Sequence, residues 1–305
     1  MLPLPAPQFR LSPWGRRAVG WVLVLAAVVG ALLALETTVL HVTTDPLNDA
    51  QAYYWAGGRL NAGLPLYPPD QSVETPLGYP YPPLLAILWR PLALLPWPVA
   101  AGIWEIVILA CFAATVWRLG VRRPATWLAI GMLGLPIAWC LIIGQAQVVL
   151  TMFMVFATPW SVALAANIKL FPVLMAMWWV GRRDWRGLRR FVTAMAILVV
   201  VQLVLAPQAC LDYVTAISLK QVGEVRNISP YGVSPLLWAA LAAIGAVLVL
   251  ALARTRYGWA AAVAFSVLAN PRLLVYQLMT FLATVADADH PRGDEADPAP
   301  SEATS

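Results

Sequence analysis

The chain has 305 residues, 61% of them hydrophobic and only 11% charged, with a formal net charge of +5. A water-soluble domain of this length would expose far more charge, so the composition points to a polytopic helical membrane protein. The arginines gather in short loops, which reads as a topology signal and implies no nucleic-acid partner. Cys111, Cys140 and Cys210 are widely spaced, and the first two fall in apolar segments. That pattern suggests neither a disulfide framework nor a zinc site, and no metal or cofactor is expected. His41 and His290 are the only histidines, the second in a polar tail, so acid–base chemistry must fall to carboxylates.

Arg10, Arg16 and Arg17 precede an apolar run over 18–40. The run is longer than a signal-peptide core and lacks a clear cleavage site, which predicts an uncleaved first helix with its N-terminus in the cytoplasm. Residues 44–83, the longest polar interruption apart from the tail, then lie outside. Asp49 precedes Tyr53, Tyr54, Trp55 and Leu60 in a short amphipathic pattern. Aromatic side chains of this kind predict an interfacial helix lying flat on the bilayer. The prolines from Pro65 to Pro83 then forbid regular helix.

Residues 84–96 are too short to span and are broken by Pro91, which suits an interfacial or re-entrant hairpin. The segment 97–119 runs inward to Arg118, Arg122 and Arg123. The next, 126–143, returns outward, bent at Pro136, and delivers Gly144 and Gln145 to the outer side; 145–158 goes inward again. Residues 160–180 have the length of one span, but GRRDWRGLRR follows, and a single outward span would strand its arginines outside. Two half-length helices broken around Ile168-Lys169-Leu170-Phe171-Pro172 return those arginines to the cytoplasm. Such a break must face protein or a wet cavity.

The segment 191–206 then runs outward to a second outer loop, 207–235, with Asp212, Lys220, Glu224 and Arg226. Residues 236–253 return to Arg254 and Arg256. A last short pair, 259–268 and 273–286, is joined by Asn270-Pro271-Arg272. Residues 287–305 are acidic and proline-rich and are expected to be disordered. The expected fold is one all-α integral membrane domain over 1–286, of about eight to ten membrane segments, with both termini cytoplasmic.

Asp49 is the leading candidate for a catalytic base, because a carboxylate at the outer membrane edge can meet both a lipid-linked donor and a polar acceptor. The competing reading is that Asn48 or Asp49 simply caps the interfacial helix. Asp45, before Pro46, reads as a turn residue. Lys169 interrupts an apolar segment, where an ammonium requires a partner or a wet cavity unless it snorkels from a helix end. Glu105 also sits in an apolar segment and is a structural partner open to it. Arg272, in an outer turn, binds phosphate or is merely solvated. Gln145 and Gln147 hydrogen-bond a sugar or satisfy neighbouring helices.

Asp49, Tyr53, Gly63 and Tyr67, followed by Tyr81-Pro82-Pro83, resemble the first outer loop of glycosyltransferase family 87, which contains polyprenyl-phosphate-mannose-dependent mannosyltransferase-like membrane enzymes. Gly144-Gln145-Ala146-Gln147 is similar to that family's Gly-Gln-x-Asn step, with Gln147 in place of Asn. Ala166-Asn167-Ile168-Lys169-Leu170-Phe171-Pro172 resembles its Ala-x-x-Lys-x-x-Pro segment. Asn227-Ile228-Ser229 resembles its Asn-x-Ser, and Asn270-Pro271-Arg272 through Tyr276 resembles its Pro-x-x-x-x-Tyr. The resemblance covers residues 20–285.

It implies a GT-C type helical bundle with its site at the outer face, a polyprenyl-phosphate sugar as donor, and a glycolipid or glycan as acceptor. Asp49 takes the place of the acidic residue held to be catalytic. Lys169, Arg272, Gln145, Gln147, Tyr53, Tyr81, Asn227 and Tyr276 are the expected substrate-binding set. A hexosyltransferase, specifically a mannosyltransferase, is the expected activity, in the plasma membrane. The rivals are a lipid or sugar transporter, since broken helices and an intramembrane lysine also mark transport pathways, and a non-catalytic scaffold related to the family.

Overall fold

A computed structural model describes residues 12–68, 78–216 and 227–286. Lys220, Glu224, Arg226 and the acidic 287–305 segment lie outside these residues. The helices are α1 (Pro13–Thr44), α2 (Asn48–Asn61), α3 (Pro83–Trp89), α4 (Trp97–Leu119), α5 (Pro124–Met132), α6 (Gly134–Ile142) and α7 (Gln147–Phe156). They continue as α8 (Pro159–Ile168), α9 (Ala176–Arg182), α10 (Trp185–Leu205), α11 (Pro207–Ala216), α12 (Pro235–Leu252) and α13 (Gly258–Leu268). Short 3₁₀ stretches include Phe171–Met175 and Val275–Val285, and no strand occurs among the described residues.

The protein is an all-helical, multi-pass membrane protein. Helices α1, α4, α10 and α12 are each long and apolar enough to cross a bilayer, and α5 with α6, a bent pair, has the length and apolarity of a fifth span when counted as one, giving four to five candidate crossings among the described residues. The other expected segments (α7, α8, α9, α13 and Val275–Val285) are too short to cross alone.

The bend between α5 and α6 is 71° and falls at Leu133, three residues before the proline expected to cause it. Pro136 has no N–H for the Met132 carbonyl and its ring crowds that oxygen, so the chain breaks one turn upstream. The bend is buttressed by α1: a Cβ on Gly134 would stand 2.5 Å from the Gly30 carbonyl oxygen, so only glycine permits the contact.

The chain folds back at Lys169, as the arginine pattern requires. Thr158 starts α8 by accepting a hydrogen bond from the Ser161 backbone N–H at 3.1 Å. The helix stops at Lys169, whose backbone is extended (φ −141°, ψ 136°), and Phe171–Met175 leads into α9. Trp178 then meets Trp259, Gly181 packs on Leu250 and Ala253, and Trp179 stacks on Phe191. The arginines of 182–190 and 254–256 therefore share one end of the bundle. The other end is marked by Trp104 Nε1, which donates to the Gly144 carbonyl at 2.7 Å, and by Tyr54, edge-on to Trp97. The 23-residue α4 carries Arg118 away from that end.

Two expectations change. Tyr53 is fully buried and belongs to the core, while its neighbour Trp55 stays half exposed, so α2 is anchored inward as well as at the surface. The second outer loop opens with a helix, α11, whose Tyr213 ring lies 5.7 Å from that of Tyr67 in the first outer loop.

Candidate active site

The start of α2 is docked on the end of α6. Leu47 N–H donates to the Ile142 carbonyl at 2.9 Å and Asp49 N–H to the Ile143 carbonyl at 3.0 Å. Leu47, in the left-handed region at φ 56°, occupies the N-cap position and makes no side-chain cap. The helix's first donors are thus met by the carbonyls at the end of α6, and the Asp49 carboxylate is released from the capping duty that sequence alone allowed it.

That carboxylate accepts a hydrogen bond from Gln145 Nε2. Gln145 is fully buried; its Oε1 accepts from the Tyr53 hydroxyl at 2.5 Å and its Nε2 also reaches the Tyr81 hydroxyl at 3.3 Å. The Ala146 N–H in turn donates to the Tyr53 oxygen at 3.2 Å. Gly144 makes this approach feasible. It sits at φ 69°, and a Cβ there would come within 2.7 Å of the Ala50 methyl. Tyr79, Tyr81, Trp89 and Trp104 enclose Tyr53, with ring centroids 5.9–6.4 Å away. One amide therefore fixes Asp49 against a rigid aromatic wall.

Lys169 completes the cluster from the fold-back between α8 and α9. Its side chain is buried, at 4% exposure, and Nζ has no hydrogen-bond partner among the described residues. The ammonium lies 4.7 Å from the Tyr81 ring centroid and 4.8 Å from that of Tyr276. The hydroxyls of Tyr81 and Tyr276 are themselves hydrogen-bonded. Glu105 is exposed on α4, so the ion pair with Lys169 that the sequence left open does not form.

Burial pushes the Asp49 carboxyl up to about 6, against the opposing pull of the Lys169 ammonium; Asp45 pushes it up further, and Arg272 and His41 pull it down. Arg272 thus stands close enough for its charge to act on the carboxylate. Its loop is held by Asn227, whose Nδ2 donates to the Pro271 carbonyl and whose Oδ1 accepts from Leu273 N–H, both at 2.9 Å.

Of the expected set, Asp49, Tyr53, Tyr81, Gln145, Lys169, Arg272 and Tyr276 converge on one place. Asn227 supports the Arg272 turn through backbone contacts. Gln147 points elsewhere: its Nε2 donates to Thr280 Oγ1 at 2.5 Å, tying α7 to Val275–Val285. One contact was not foreseen. His41 Nδ1 lies 2.6 Å from Asp45 Oδ1, and the His41 ring stacks on Trp139 at 4.8 Å, so Asp45 is more than a turn residue. Their four-residue spacing across a helix end was the available signal. Among the described residues no three His, Cys, Asp or Glu side chains gather as a metal site.

The profile of glycosyltransferase family 87 matches residues 79–286. The chain belongs to this family. Asp49 and Tyr53 precede the matched region, and Tyr81, Gln145, Lys169, Arg272 and Tyr276 lie inside it. The chain is 31% identical over 226 residues to a polyprenol-phosphate-mannose-dependent alpha-(1-2)-phosphatidylinositol pentamannoside mannosyltransferase of Mycolicibacterium smegmatis, covering 68% of this chain and 54% of that protein. A protein of the same description from Mycobacterium tuberculosis is 27% identical over 255 residues, covering 75% of this chain and 57% of its own. A further Mycobacterium tuberculosis protein, a polyprenol-phosphate-mannose-dependent alpha-(1-2)-phosphatidylinositol mannoside mannosyltransferase, is 27% identical over 238 residues, covering 67% of this chain and 55% of its own. The chain spans about half the length of these curated relatives. No solved structure matches it.

Proposed function

We propose that this family 87 protein transfers a mannosyl residue from a polyprenol-phosphate donor to a phosphatidylinositol mannoside-like glycolipid at the outer face of the membrane. The observation that carries this reading is Lys169: a buried ammonium without a hydrogen-bond partner among the described residues, near a half-buried carboxylate that Gln145 holds. Removing an ammonium from water costs several kcal/mol even after relaxation, and cation–π contacts return about 2 kcal/mol at a desolvated site. The difference favours an anion at Nζ. A phosphodiester supplies one, and Arg272 adds a second cation nearby.

In the reaction Asp49 takes the proton from the acceptor hydroxyl as that oxygen bonds to the anomeric carbon and the bond from that carbon to the phosphate oxygen breaks. The electron pair leaves on polyprenyl phosphate, where Lys169 and Arg272 meet the developing charge. A single displacement inverts the anomeric centre. Positive-inside bias puts the arginine end of the bundle in the cytoplasm and hence Asp49 outside. An impermeant thiol reagent should therefore leave a cysteine at position 186 unlabelled in intact cells.

The test is transfer itself. The purified chain in lipid nanodiscs, given polyprenol-phosphate mannose and phosphatidylinositol mannosides, should form a glycolipid one hexose heavier by mass spectrometry. Donor binding with no new glycosidic bond to these acceptors would overturn the assignment.

A further inference from the structure

Helix α10 is an apolar crossing with most of its outer half turned to lipid; Val200 and Val204 are 57% and 75% exposed. Gln202 breaks that pattern. It is 3% exposed, three residues before the helix ends. A buried amide at such a depth must satisfy both its ends. Its Oε1 accepts from the Leu84 N–H at 2.9 Å, and its Nε2 donates to Asn167 Oδ1 at 2.7 Å and to the Leu198 carbonyl at 3.0 Å. Asn167 is buried too, and its Nδ2 donates to the Ala163 carbonyl at 2.9 Å.

The two segments joined through Gln202 are the ones that carry the Lys169 contact. Asn167 lies two residues before Lys169, at the tip of α8. Leu84 lies three residues after Tyr81 and is joined to it by Pro82 and Pro83, which restrict the backbone between them. Lys169 and Tyr81 meet at 4.7 Å across the gap that this bridge closes. Neither segment is a long helix: one is a fold-back and the other a proline-rich turn, so each depends on side-chain ties for its position. We infer that Gln202 is a positioning residue for the donor site, holding the Lys169 fold-back in register with the Tyr81 turn through Asn167. The inference rests on the proposed role of Lys169.

A double-mutant cycle tests it, reading the Kd for polyprenol-phosphate mannose together with thermal stability in nanodiscs. Gln202→Leu removes the bridge but leaves the buried Leu84 N–H without its acceptor, so stability should also fall. Asn167→Leu cuts the same bridge while Gln202 still serves Leu84 and Leu198. Both variants should weaken donor binding by about tenfold, the order expected for loss of a buried hydrogen bond, with the smaller loss of stability in Asn167→Leu. In a Lys169→Met background neither change should weaken binding further, because Gln202 acts through Lys169.

Additive losses in that background, or unchanged donor binding in Asn167→Leu, would show that the bridge is structural only. Lys169→Met alone separates this from the parent reading. If it leaves donor binding intact, the phosphate-binding role of Lys169 fails along with the positioning role. If Lys169→Met weakens binding and Asn167→Leu does not, the positioning role alone fails.

Discussion

The long helices and the short ones divide the work of this molecule. In α1 and α12 only 6% of the most apolar stretch is buried inside the protein, and both turn their sides to lipid. Helices α7 and α8, ten residues each, are buried along most of their length and bring Gln145 and Lys169 to the site. Irregular backbone is tolerated at membrane depth only behind such a shield, because unsatisfied N–H and C=O groups cannot face hydrocarbon. The full-length helices supply the wall, and the broken segments behind it hold the polar chemistry.

This division predicts very unequal effects of substitution. The largest should come at Asp49. Asp49→Asn should lower kcat by about 10²–10⁴-fold, the usual range for loss of a general base, with expression and insertion preserved. Transfer by the unchanged protein should rise with pH through about 6 as the carboxyl ionises. Stability should respond in the opposite direction. The folded protein holds this proton up to about 6, whereas an ordinary aspartate releases it near 3.8, so this group's contribution to stability falls as pH rises between those values. Turnover measured across that range, beside thermal denaturation in the same buffers, checks both signs.

Gly144→Ala should come next. Its Cβ would strike Ala50 at a position where φ is positive, pushing α2 from the end of α6. A loss of about 1–3 kcal/mol of stability is expected, with a fall in kcat because Gln145 and Asp49 move apart. Chemical denaturation in detergent and initial rates read the two effects. At the other extreme, Leu236→Ala on α12, where the side chain is 83% exposed, should change stability by less than about 0.5 kcal/mol and leave turnover intact. A large effect there would mean that α12 packs against something other than lipid.

The wall was more legible in sequence than the site. Apolar length placed α4 to the residue and α12 within one, although α1 and α10 each begin five or six residues before the expected start, and the break expected around Lys169 falls where α8 ends. Inside the shield, period and charge say less. The sequence allowed Asp49 to be a cap, and only the docking of Leu47 and Asp49 N–H groups on α6 frees it. Tyr53 looked interfacial because aromatic type signals the membrane surface, but its hydroxyl is spent on Gln145, 92 residues away. Glu105 looked like a partner for Lys169 from its apolar context, and its exposure on α4 could not be read without knowing which face α4 turns to the bundle. Gln202 lay unnoticed in an apolar run because Leu84 and Asn167, the two partners outside its own helix, are distant in sequence.

The central claim is that Lys169 is held unpaired in order to receive the donor phosphate, and one pair of measurements on Lys169→Met tests it most directly. A buried ammonium awaiting its anion is a cost to the empty protein, so the methionine variant should be as thermally stable as the original or more so, while binding polyprenol-phosphate mannose at least tenfold more weakly. Marked loss of stability with donor affinity unchanged would contradict the account and make Lys169 a structural residue of the fold-back.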